Sequence, residues 1–70
     1  MNTENFVTIR TYHDQIMGEL VLAALNQAGI ETFPVKDLQN PIPTENHIAI
    51  HIHESDVEAA LEIIEDQENA

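Results

Sequence analysis

Two short segments of the chain alternate apolar and polar residues, which is the pattern of a β-strand with one buried face. Residues 6–12 read Phe-Val-Thr-Ile-Arg-Thr-Tyr, and residues 47–53 read His-Ile-Ala-Ile-His-Ile-His. Residues 31–36 favour a further strand, and Pro34 predicts that it lies at a sheet edge because proline cannot donate a ladder hydrogen bond. The residues predicted to share the first strand's polar and aromatic face are Phe6, Thr8, Arg10 and Tyr12.

Between the first two strands the apolar period changes from 2 to 3.6, which predicts a helix over residues 15–28. Asp14 is its predicted N-cap. Gly29 is predicted to end it in a left-handed conformation, with Ile30 folded back on the last turn. Gly18, inside the helix, indicates a point of close packing. The predicted apolar stripe consists of Ile16, Met17, Leu20, Val21, Ala24, Leu25 and Ala28.

A second amphipathic helix follows the last strand. Ser55 and Glu58 have the spacing of a capping box, and Val57, Ala60, Leu61 and Ile64 then repeat at helical spacing. Seven of the thirteen acidic residues lie between positions 54 and 68 without a basic residue among them. Because like charges four residues apart repel, we expect the last turn to fray.

The order of elements is therefore β-α-β-β-α, an α+β chain. Each helix has one apolar stripe, so both should cover the same face of the sheet in a two-layer sandwich. A right-handed crossover with the third strand in the middle gives the sheet order 2-3-1, a ferredoxin-like split βαβ that lacks the last strand. We expect one domain over residues 1–70, ordered from about 5 to 66. The predicted core is Val7, Ile9, Leu20, Val21, Ala24, Leu25, Ile48, Ile50, Ile52, Val57, Leu61 and Ile64.

The chain resembles a family of small bacterial domains described as prokaryotic signal transducing proteins. The resemblance rests on Tyr12 and Asp14 before the first helix, on the Gly29-Ile30 turn into the second strand, and on the capped helix after Ile52. It extends over roughly residues 7–64. The resemblance implies the same fold and a regulatory role.

The composition of the chain excludes several classes of function. The chain has 70 residues, a net charge of −11 and no cysteine. Binding to nucleic acid or to an anionic membrane surface is excluded because both need a basic patch. The acidic segment Met1-Asn2-Thr3-Glu4-Asn5 does not have the pattern of a signal peptide, and no apolar run is as long as a membrane span. We therefore expect a cytoplasmic protein.

The strand histidines are the main candidate for chemistry. His51 and His53 share a strand face with Cβ atoms about 6.5–7 Å apart, a spacing at which two imidazoles can bind zinc or nickel. His13, Asp14 or a carboxylate of another chain would have to complete the site. The competing interpretation, which we favour, is a solvated polar face that binds no cofactor. Joint proton uptake by His47, His51 and His53, which share this face, is a further alternative.

No catalytic motif is present, since two glycines cannot build a phosphate-binding loop and Ser55 has no neighbouring base. We therefore predict a non-enzymatic regulatory or protein-interaction module, which acts by forming a homodimer or higher oligomer or by binding a protein partner; a metal-binding or metal-responsive protein is the alternative. The predicted interface is the first strand's exposed edge and the sheet face without helices. Its residues are Phe6, Thr8, Arg10, Tyr12, Phe33, Val35 and Ala49.

Overall fold

The computed structural model describes residues 5–42 and 45–70, and it confirms the α+β class. Strand β1 (Phe6–Tyr12) is followed by helix α1 (Gln15–Gln27), strand β2 (Thr32–Asp37) and strand β3 (His47–His53). A short 3-10 turn then leads into helix α2 (Val57–Glu68). The prediction about a signal peptide rests mainly on residues 1–4, which lie outside the described residues.

The three strands form one antiparallel sheet in the order β1-β3-β2, so β3 pairs on both sides. The fully buried side chains of Ile48, Ile50 and Ile52 point to the face that both helices cover. Strand β2, which contains Pro34, lies at an edge as predicted. Neither helix in the described part of the chain is long and apolar enough to cross a membrane.

Both predicted ends of α1 are confirmed. The Asp14 carboxylate accepts hydrogen bonds from the backbone N–H groups of Ile16 and Met17, as an N-cap does. Gly29 has φ +83°, and the N–H of Ile30 donates to the carbonyl of Leu25 at 3.0 Å, which completes a Schellman motif. These local interactions fix where the chain leaves the helix and enters β2.

The start of α2 differs from the prediction. The helix begins at Val57 after a 3-10 turn, and its cap residue Asp56 makes no side-chain capping hydrogen bond, so the capping box of Ser55 and Glu58 is wrong. At the other end, α2 stays helical as far as Glu68, whose carboxylate contacts Arg10 and Tyr12 of β1. These two contacts oppose the like-charge repulsion that favours fraying of the last turn.

A β-bulge at Ile9 changes the faces of β1. Thr8 pairs with His51 and Arg10 pairs with Ile50, so Ile9 is an additional residue between two consecutive pairs. Directly opposed side chains share a face of the sheet. The β1 side chains after the bulge therefore lie on the face opposite to the one that strict alternation predicts. The expectation that Arg10 and Tyr12 lie on the same face as Phe6 is therefore wrong.

The core is centred on β3 and the inner faces of the two helices. Of the predicted core residues, Val21, Leu25, Ile48, Ile50, Ile52 and Ile64 are buried. Those that are only partly buried are Val7, Ile9, Ala24, Val57 and Leu61. Leu22, Ile30 and Ala60 belong to the buried set and were not predicted.

Leu20 is the clearest error in the predicted core, because 51% of its surface is exposed. The reason is the close approach of α1 to β3 at Gly18, where an added Cβ would lie 2.9 Å from Cδ1 of Ile48. This contact confirms the packing role predicted for Gly18. It turns the side of α1 that carries Gly18, Val21 and Leu25 towards the sheet, so Leu20 faces solvent.

Candidate interaction surface

The sheet face opposite the helices is not covered by any element among residues 5–42 and 45–70. Its positions follow from the pairing of each strand with β3 and are called the open face below. Strand β1 contributes two residues before the bulge and one after it, β2 contributes alternate residues, and β3 contributes its histidines and Ala49. The open face consists of Phe6, Thr8, Thr11, Phe33, Val35, Asp37, His47, Ala49, His51 and His53.

Three aromatic rings meet at one end of the open face. The ring centroids of Phe6 and Phe33 are 4.5 Å apart in an edge-to-face arrangement, although the two residues lie on opposite edge strands. The ring of His53, on the central strand, lies 4.4 Å from Phe6 and 6.0 Å from Phe33. Phe6 remains 43% exposed and Phe33 41% exposed, and Val35 is 56% exposed. This cluster is therefore an apolar surface in contact with solvent.

The histidines are held by separate partners. Nδ1 of His51 lies 3.1 Å from the carbonyl oxygen of Phe33, and Nε2 of His53 lies 3.1 Å from a carboxylate oxygen of Glu31. At the opposite end of the open face, the rings of His13 and His47 have centroids 6.1 Å apart. His13 is therefore beside His47 and does not join His51 and His53.

A metal site would need a third ligand. The described residues contain no group of three or more histidine, aspartate or glutamate side chains that could hold a metal ion. His53 would also have to give up its contact with Glu31 if it bound a metal through Nε2. The geometry of the described residues therefore adds no support to the predicted metal site at His51 and His53.

Charge is distributed unevenly between the two layers. Among the strand positions that form the open face, Asp37 is the one carboxylate, and it lies at the end of β2. The helix layer, in contrast, contains the exposed acids of α2, among them Glu58, Glu62 and Asp66. The open face therefore carries little formal charge on a chain whose net charge is −11.

The two edges of the sheet are poorly suited to pairing with another strand. The bulge at Ile9 interrupts β1, and Pro34 removes one donor from β2. Bulges and prolines are among the devices that keep edge strands from pairing. The open face is therefore the better candidate surface.

Arg10 and Tyr12 form a different site, on the helix side of β1. The hydroxyl of Tyr12 donates to Oε2 of Glu68 at 2.6 Å, and Nε of Arg10 donates to the same oxygen at 3.3 Å. Burial of the Tyr12 ring, the hydrogen bond to Glu68 and the charge of that carboxylate raise the pKa of Tyr12 well above its ordinary value, while Arg10 opposes them. The bond from Tyr12 lowers the pKa of Glu68. This cluster joins the end of α2 to β1.

We expect this cluster to make stability fall at alkaline pH. The pKa of Tyr12 is higher in the folded chain than the unfolded value of about 10, so the folded state favours the protonated hydroxyl. The stabilisation is complete below pH about 10 and is lost as pH rises through the folded pKa. Urea unfolding from pH 8 to 11 should show this loss, and Tyr12→Phe should reduce it.

The same prediction has an independent spectroscopic check, because Tyr12 is the one tyrosine in the chain. Tyrosinate absorbance of the folded protein should appear at higher pH than that of the protein in urea. Equal titration midpoints in the two states would contradict the pKa argument.

The predicted interface residues are thus divided between two places. Phe6, Thr8 and Ala49 lie on the open face, and the pairing of β2 with β3 confirms that Phe33 and Val35 lie there too. The other two, Arg10 and Tyr12, lie on the helix side at the β1 edge. Residues 36–39 line a shallow hollow beside the end of β2, but Lys36 is held there by Glu19.

The fold and this surface define a class of protein: a thin, two-layer α+β domain with helices on one side of the sheet and a weakly charged, partly aromatic face on the other. The chain has no match among family models, curated proteins or solved structures.

Proposed function

We propose that this chain is a small interaction module without catalytic activity of its own, which acts by self-association through the open face. The observation that supports this most directly is the exposed contact between Phe6 and Phe33 across the uncovered sheet. The resemblance to prokaryotic signal transducing proteins supports a regulatory role, and we propose that the chain acts in the cytoplasm. The β-α-β-β-α order supports a ferredoxin-like architecture that lacks one strand.

A second copy of the chain is the partner that the charge distribution favours. Two molecules that each carry −11 repel one another less when they meet through the open face, whose strand positions include one carboxylate, than through the acidic helix layer. Face-to-face contact puts the α2 acids of both copies on the outside of the pair. It also buries the aromatic cluster, and burial of apolar area contributes about 25 cal/mol per Å².

The small size of the domain adds a reason for such burial. A chain of about 70 residues buries only about 60% of the surface that its unfolded state exposes, so its stability is marginal. Packing of a second sheet on the open face would provide a core on both sides of β3. A closed pair with two-fold symmetry is the simplest arrangement, because the same patch serves both copies.

Sedimentation velocity at micromolar concentration tests this proposal. We expect a mass near twice the 7.9 kDa of one chain. Phe33→Ser should shift the protein to the monomer, because it removes one of the two phenylalanine rings of the aromatic cluster. Ile42→Ser is the matched control: Ile42 is 52% exposed and is not on the open face, so this variant should keep the mass of the parent.

Circular dichroism of both variants shows whether each is folded. A parent protein that is folded and monomeric would overturn the proposal. The same holds if a folded Phe33→Ser variant kept the mass of the parent, because association would then use another surface.

A further inference from the structure

The outward side of α1 is apolar, although it faces away from the sheet. Ile16 is 73% exposed and Leu20 is 51% exposed, and Ala23 is exposed one turn further along. Residues three and four apart lie on the same side of a helix, so Ile16, Leu20 and Ala23 form one line. This line is on the opposite side of α1 from the buried Val21 and Leu25. No residue on this line is charged. We call it the α1 ridge.

Single exposed apolar residues are normal on protein surfaces, but a line of them at helical spacing is typical of a helix that packs on a partner. The α1 ridge does not contribute to the core. Ile16 has the largest exposed fraction among the exposed large apolar side chains.

The neighbouring helix gives the surface around the α1 ridge a strong negative charge. Helices α1 and α2 pack side by side in one layer. The outward residues of α2 are acidic and exposed: Glu58, Glu62, Glu65 and Asp66. The solvent side of the helix layer is thus an apolar line next to a row of carboxylates.

This chain has too few basic residues to complement the acidic surface of α2. It has two basic residues, Arg10 and Lys36. Arg10 contacts Glu68, and Lys36 contacts Glu19 at 2.7 Å. A second copy placed here would bring further carboxylates close to those of α2. The occupant must therefore be a different molecule.

We propose that the helix layer is a docking surface for a basic amphipathic helix of another protein. The apolar side of such a helix would cover Ile16 and Leu20, whose spacing of four residues matches one turn of a partner helix. Its lysines or arginines would reach the carboxylates of α2. This site is separate from the open face, so one molecule can associate with a second copy and bind the partner helix at once.

A synthetic peptide provides the test. The probe has roughly eighteen residues, with leucines along one side of the helix and lysines on the other sides. A scrambled peptide of the same composition, in which the leucines do not share one side, is the control. Fluorescence anisotropy with a labelled peptide measures the Kd. We expect the amphipathic peptide to bind at least about tenfold more tightly than the scrambled one.

Variants of the protein locate the binding site. Ile16→Gln with Leu20→Gln should weaken binding of the amphipathic peptide by about tenfold or more, and Ile42→Gln should leave the Kd unchanged. Glu62→Gln with Asp66→Asn should also weaken binding. The matched control, Asp37→Asn with Glu45→Gln, removes the same charge from elsewhere and should have a smaller effect.

Three results would overturn the proposal. Equal affinity for the two peptides, or binding unaffected by loss of Ile16 and Leu20, would mean attraction of any polycation to an acidic protein. A lower mass of the Ile16→Gln, Leu20→Gln variant in sedimentation would mean that a second copy occupies the α1 ridge. Phe33→Ser should not change the peptide Kd, so this test and the test of the open face can fail independently.

Discussion

Replacing Leu25 with alanine is expected to lower the free energy of unfolding by about 2–5 kcal/mol. Leu25 is fully buried on the inner side of α1, so the truncation removes apolar contacts and leaves a cavity. Because domains of this size are only marginally stable, a loss of this magnitude can unfold the chain. Urea unfolding followed by circular dichroism gives the measurement.

Leu20→Ala is the matched control, with the same change on the same helix. Leu20 is 51% exposed, so its truncation leaves no cavity, and alanine favours the helix slightly. We expect a change below about 1 kcal/mol. Similar losses for the two variants would mean that α1 is rotated relative to the structure described above.

Gly18→Val should lower the free energy of unfolding by about 1–3 kcal/mol. A Cβ at position 18 would lie 2.9 Å from Cδ1 and 3.4 Å from Cβ of Ile48, a side chain that is itself fully buried. Valine adds two more methyl groups at this point of closest approach. The helix would have to move away from β3, and the packing around Ile48 would loosen.

Two further variants separate overpacking from helix propensity. Ala23→Val introduces the same side chain on the exposed side of α1 and should cost only the difference in propensity, about half a kcal/mol. Ile48→Val removes the Cδ1 methyl and should recover part of the loss caused by Gly18→Val. A double-mutant cycle without any coupling between positions 18 and 48 would contradict the contact.

Local features of the fold could be predicted from the sequence, because residue type and neighbours determine them. The cap at Asp14 and the exit at Gly29 depend on a carboxylate beside free N–H groups and on a glycine that tolerates positive φ. The strand at residues 47–53 was equally clear, since its three isoleucines alternate strictly with three histidines and Ala49. In these segments the pattern and the tertiary structure agree.

Features that depend on contacts between distant elements could not be predicted. The apolar residues of α1 cover more than one side of the helix, so periodicity alone did not decide which side would be buried; the contact of Gly18 with Ile48 decides it. The bulge at Ile9 has no local signal, because Thr-Ile-Arg is an ordinary strand sequence. The bulge places Arg10 and Tyr12 on the sheet face opposite to the one expected, and there both side chains contact Glu68.

For the same reason, only part of the candidate surface could be predicted from the sequence. Phe33 and Val35 were placed on the open face, which the pairing of β2 confirms, since no irregularity interrupts that strand. The contact of Phe6 with Phe33 could not be predicted, because the residues lie on strands that do not pair with each other. The exposed α1 ridge was missed, since Leu20 had been assigned to the core and Ile16 to the apolar stripe of the helix.

The separation of charge between the two layers gives the molecule an electric dipole roughly perpendicular to the sheet, with its negative end at α2. A cationic surface or a polycation will therefore orient the protein before any contact forms, with the helices inward and the open face outward. Immobilised on an anion exchanger, the protein should present Phe33 to solution. It could then capture a second copy from solution while itself fixed in place.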